Sequence, residues 1–243
     1  MSQNQSLLSQ QSIEKYLPKY SSSLCGLASV GNAINLLKAD VNLTSQLLSK
    51  IYSIVETYNQ KQDLHSFTNE FQNPNPWRVF TQDLDIYHSA LMTIIIAFDL
   101  KVERFEASDY TKIDNPQSTS SLVPYLNPNS KIIISVKSNF SLSSSAGSHL
   151  VLLDSFDNQD TKTFNIFDPY NPNSNEADNR KEINSQFLDT YFRGTGIIIS
   201  NQTIPKTDII FTPIMESPVP TGTKPWPVFI PKEVVEDIRK LLK

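Results

Sequence analysis

Residues 149–170 read HLVLLDSFDNQDTKTFNIFDPY, and the fold class turns on this stretch. Two short runs, His149–Ser155 and Thr161–Phe167, carry Leu, Val, Ile and Phe, and the FDNQD between them is mostly turn-forming. The pattern predicts an antiparallel hairpin. In such a hairpin the start of one strand faces the end of the next, so His149 and Asp168 are expected side by side across the ladder. Lys101–Phe105, Lys131–Lys137 and Gly196–Ser200 are further short runs between turn formers and read as strands.

Upstream the period changes. Leu24, Leu27, Ala28, Ala33, Ile34 and Leu37 recur at helical spacing over Leu24–Ala39. Thr44–Tyr58 repeats the pattern with Leu47, Leu48, Ile51, Ile54 and Val55, and Asp83–Phe98 is a third, richly apolar helix. Helices first and antiparallel strands second predict an α+β fold, not a doubly wound sheet. No GxGxxG or P-loop is present, so nucleotide binding has no support. Asn- and Ser-rich stretches at 69–76, 115–130, 138–148 and 171–185 read as loops.

The chain has 243 residues, enough for a large buried core in one domain expected at 1–212. Residues 213–243 are expected to form an appended arm and helix. Six prolines between Pro213 and Pro231, with Trp226 and Phe229 among them, favour an extended strap. Val234, Val235, Ile238, Leu241 and Leu242 then form one apolar stripe behind Pro231, and such a stripe is expected to dock on its own domain. A net charge of −4 argues against nonspecific nucleic-acid binding. The polar N-terminus does not resemble a signal peptide, and the longest apolar run, Leu91–Leu100, is too short to span a bilayer. A soluble chain, cytoplasmic by default, is the expectation.

A single Cys excludes an intrachain disulfide framework, a Cys-based zinc site and an iron–sulfur cluster. It leaves an inert buried thiol or a lone nucleophile. Cys25 stands at the start of the first strong helix, where unpaired backbone N–H groups and the helix dipole favour the reactive thiolate. Gly26 beside it would let a substrate backbone pass close to the sulfur. Of three His, His65 lies in a polar stretch and His88 on the third helix, whereas His149 opens an apolar strand behind Gly147. Asp168, ending the partner strand, is placed to orient the imidazole through its other nitrogen, although before Pro169 it also reads as a turn former.

The order Cys25, His149, Asp168 on helix start, strand start and strand end resembles the papain-like cysteine peptidase clan. His149 and Asp168 follow Cys25 by 124 and 143 residues, near the ~130–150 of papain-type partners. Within the clan, CGLAS and SHLVLLDSFDN…FNIFDPY resemble the double-glycine, bacteriocin-leader peptidases, and CGLAS is also similar to phytochelatin synthase. The resemblance covers about residues 15–200. It implies Cys25 as nucleophile, His149 as general base and acid, Asp168 as orienter, a peptide or protein substrate, and neither metal nor organic cofactor. It also implies an oxyanion-binding Gln six positions before the Cys. Lys19 stands there, Ser22 is the candidate substitute, and Gln10 and Gln11 lie further upstream. Loss of such a donor costs ~2.7–4 kcal/mol of transition-state stabilisation. Three functions are therefore open: a cysteine peptidase or peptide acyl-transfer enzyme, a pseudopeptidase that binds peptides, and a phytochelatin-synthase-like transpeptidase.

Overall fold

Three consecutive isoleucines without polar alternation belong in a strand covered on both faces. Ile132, Ile133 and Ile134 occupy that position in β2 (Ser130–Lys137). The structure, a computed structural model, describes residues 7–18, 24–61, 84–106, 119–137, 140, 148–157, 162–170, 180–205, 214–215 and 228–243. The other sheet strands are β1 (Lys101–Glu106), β3 (Ser148–Asp157), β4 (Thr163–Phe167), β5 (Arg180–Asn184) and β6 (Phe192–Ser200). They form one antiparallel sheet in the order β1-β6-β2-β3-β4-β5. The α+β expectation holds.

Each face of the sheet carries its own core. Ile133, Leu150, Leu152, Phe167, Ile197 and Ile199 pack under the helices α1 (Gln10–Glu14), α2 (Leu24–Leu37), α3 (Ser45–Lys61), α4 (Leu84–Ala97) and α6 (Lys232–Leu241). Ile132, Ile134, Val151, Leu153 and Ile166 pack on the opposite face with a 3-10 turn at Thr119–Tyr125 and α5 (Ser185–Tyr191). The terminal stripe docks in part: α6 lies on α3 and α4 and buries Val234, Val235 and Ile238, while Leu242 is half-buried and Leu241 stays exposed. Arg239 ties it to Asp99 at 2.6 Å.

Helix α2 departs from its expected one-sided burial, because every residue except Leu36 is buried. Small residues permit this: a Cβ at Gly31 would meet Leu8 Cδ1 at 2.5 Å and Leu48 Cδ2 at 2.7 Å. Its two asparagines are absorbed by backbone clasps. Asn32 accepts from Leu8 N and donates to Leu8 O, both at 2.8 Å. Asn35 does the same for Leu43, at 2.7 and 3.0 Å.

Four elements occupy stretches that read as loops or carried no prediction: α1, the 3-10 turn, β5 and α5. The sequence RKEIN of β5 is almost wholly exposed and has no apolar alternation. Helix α5 buries only Leu188, and its start is set by Asn184, whose side chain accepts from Gln186 N. Strand β6 begins at Phe192 rather than Gly196, since Arg193, Gly194 and Gly196 dilute its pattern. Of the Pro-rich arm, only β7 (Ile214–Met215) and β8 (Val228–Phe229) are described, and they pair in parallel. Among the described residues no helix is long and apolar enough to cross a membrane.

Candidate active site

Cys25 is the second residue of α2, in the turn whose backbone N–H groups have no intrahelical acceptor. The helix crosses β3 there. Ser29, one turn on and on the same helix face, donates to Leu150 O at 3.4 Å and fixes the helix start beside His149. Cys25 is 6 % exposed and His149 5 % exposed.

A bulge in β3 decides which way His149 and Asp168 look. On the turn side the ladder pairs Ser155 with Asn165, and past the bulge it pairs Leu153 with Ile166 and Leu152 with Phe167, leaving Asp154 extra. Continued one step, this register sets Asp168 opposite Val151, on the same face as His149 two residues further along. Without the bulge Asp168 would face Leu152 and His149 would lie on the other side. The expected side-by-side pair is therefore a diagonal one, within reach for long side chains. The bulge itself is held by Lys131 of β2, whose ammonium donates to Asp154 O at 2.9 Å and pairs with Asp154 Oδ1 at 2.8 Å.

Across that diagonal His149 Nε2 lies 2.8 Å from Asp168 Oδ1. Because a carboxylate only accepts, Nε2 carries the proton, and Nδ1 is the nitrogen left for Cys25. Asp168 is fully buried. Its Oδ1 also accepts from Tyr170 N at 3.0 Å, and its Oδ2 accepts from Lys181 Nζ at 3.0 Å. Behind it, Gln10 N donates to Pro169 O at 2.8 Å, so α1 braces the same turn.

The charges follow from this packing. Burial opposes ionisation of Cys25, but the hydrogen bond and charge of His149, with backbone hydrogen bonds at Leu150 and Gly26, bring the thiol below its ordinary value. Burial likewise works against a charged His149, yet hydrogen bonds and charge from Asp168 and Cys25 push it up to about 9. Asp168 is held below the usual carboxylate range against its burial, first by His149 and then by Lys181. These directions all favour a thiolate–imidazolium pair backed by a carboxylate. Chemically it offers a nucleophile and a proton donor at one place.

The structure thus brings together Cys25, His149 and Asp168. Lys19, Ser22, His65 and Gly147 lie outside the described residues, as does the side chain of His88 on α4. Among the described residues no group of His, Cys, Asp or Glu could hold a metal ion. Sequence reading missed Ser29, the Lys131–Asp154 clasp and Lys181. Only Ser29 left a trace, as a polar residue one turn from Cys25 inside CGLAS.

A family model described as the Peptidase_C39 like family matches residues 2–196. No curated protein matches the chain.

Proposed function

The chain belongs to the Peptidase_C39 like family, and on that premise we propose that it is a cysteine peptidase in which Cys25 is the nucleophile, His149 the acid and base, and Asp168 the orienter. The observation that supports this most is the 2.8 Å contact of His149 Nε2 with the wholly buried Asp168, in a site where the imidazole also lies close enough to Cys25 to bring its thiol below the ordinary value. The Cys25 thiolate attacks the carbonyl carbon of a peptide bond, and the His149 imidazolium gives its proton to the departing amine nitrogen. The N-terminal part of the substrate stays on the sulfur as a thioester. Water, deprotonated by the now neutral His149, attacks that thioester, releasing a carboxylic acid and returning the thiol proton to the pair. An amine in place of water would complete an acyl transfer by the same steps. The backbone N–H of Cys25, in the first turn of α2, supplies one donor to the oxyanion. We take the substrate to be a peptide of the kind that double-glycine leader peptidases cleave, and the peptidase unit to be residues 1–212.

The test is the pH dependence of Cys25 alkylation by iodoacetamide in the wild type and in His149→Ala. The expected result is a thiol that reacts well below pH ~8.5 and loses that reactivity with the imidazole. A thiol titrating near the unperturbed value in both proteins would overturn the assignment.

A further inference from the structure

Lys181 sits on β5, one of the two edge strands, opposite Ile166 and on the same side of the sheet as Asp168. Its ammonium reaches the buried carboxylate at 3.0 Å through Oδ2, the oxygen that His149 does not use. Asp168 is thereby bracketed by the strands on both sides of β4: His149 reaches it from β3, and Lys181 from β5. We propose that Lys181 is a positioning residue of the active site, which locks the carboxylate rotamer and completes an alternating chain of charges from Cys25 through His149 and Asp168 to Lys181. The proposal rests on the peptidase reading above and extends it to a residue that touches no substrate.

Two physical arguments carry it. A carboxylate held at both oxygens cannot rotate, so Oδ1 stays on the line to His149 Nε2. Three charges in a row, thiolate, imidazolium and carboxylate, leave a buried site one negative charge in excess. The ammonium cancels it, and Lys181 can do so while 44 % of its side chain stays in water. Among the described residues the charged groups facing Asp168 are His149 from β3 and Lys181 from β5. Cys25 of α2 reaches it through His149, and α1 approaches with an uncharged backbone N–H. Arg180, opposite Phe167, lies on the other face. An amide in place of Asp168 would turn its NH2 toward the Lys181 ammonium, donor to donor, so the lysine and a carboxylate at 168 go together.

The experiment compares iodoacetamide alkylation of Cys25 across pH in the wild type, Lys181→Met, Lys181→Gln, Lys181→Arg and His149→Ala, with folding followed by thermal melts. Removing the positive charge makes the thiolate harder to form, so the acid limb of the profile moves up in pH for both neutral variants. Alkylation on that limb is expected to slow roughly three- to tenfold, with the alkaline plateau unchanged, and Lys181→Arg to restore most of the rate. Superimposable profiles for the wild type and folded neutral variants, beside a shifted His149→Ala profile, would overturn the role of Lys181 and leave the peptidase reading intact. An unshifted His149→Ala profile would instead remove that reading. Unfolding of both neutral variants would assign Lys181 to stability and likewise overturn the proposal.

Discussion

Replacing Cys25 by Ser should uncover a pH dependence of stability that the intact pair conceals. His149 is raised from 6.5 to about 9, so its contribution to stability is complete below pH 6.5 and is lost as pH rises through about 9. Cys25 is lowered from 9.0, so its contribution is complete above that value and is lost as pH falls through the folded pKa. Between pH 6.5 and about 9 the two trends oppose each other. Wherever the folded thiol is ionised in that window, the folded pair holds one proton, on the imidazolium, and the unfolded pair also holds one, on the thiol. Equal proton numbers give no slope from this pair in the wild type. A serine hydroxyl does not titrate, and in Cys25→Ser only the His149 trend survives. The whole elevation of His149 corresponds to about 3 kcal/mol. Part of it comes from Cys25, and the share held by Asp168 should leave a decline of roughly 1–2 kcal/mol across the window. Urea unfolding at closely spaced pH values measures this as the difference between variant and wild type, which cancels every other titrating group. A difference that stays constant across the window would refute the ion-pair reasoning.

Two substitutions away from the reacting groups probe the scaffold. Lys131→Met removes both contacts that hold the β3 bulge at Asp154 and should cost about 1–3 kcal/mol; it should also slow Cys25 alkylation at low pH, and normal alkylation in a destabilised variant would separate the bulge from the site. Gly196→Ala would drive a Cβ into Ile133 O and to 2.7 Å from the Phe105 ring, where backbone cannot yield, so a thermal melt should show destabilisation of about 1–3 kcal/mol or more, and an unchanged melting temperature would contradict the packing.

What the sequence announces here, and what it conceals, divides along the line between pattern and register. The helices α2 and α3 and the strands β2, β3 and β4 are legible because their apolar side chains recur at the period of the element that buries them. Cys25, His149 and Asp168 are legible for a related reason: each stands at the end of such an element, where side chains leave the core and can converge. Whether they converge is a matter of a single residue. The Asp154 bulge shifts the β3–β4 ladder by one and puts Asp168 on the face of His149, yet LLDSF carries no Gly or Pro to mark it. The bulge is written instead in Lys131, 23 residues away on another strand, whose buried ammonium finds Asp154.

Lys181 was hidden first because residues 171–185 read as a loop, and the strand they hold would not have exposed it either. A lysine on a polar edge strand is ordinarily a guard against edge-to-edge pairing, and RKEIN offers nothing to contradict that reading. What separates this lysine from a guard is a partner with no exposure of its own. A carboxylate buried that completely needs acceptor bonds for both oxygens, and after His149 and Tyr170 have taken Oδ1, Oδ2 is left to be satisfied. Asp168 is predictable from its own segment, but the requirement it creates can be met only from the neighbouring strand, on the side away from the histidine. The charge that completes the site therefore comes from an exposed edge strand of the sheet, and on this proposal the reactivity of Cys25 depends on β5 staying docked.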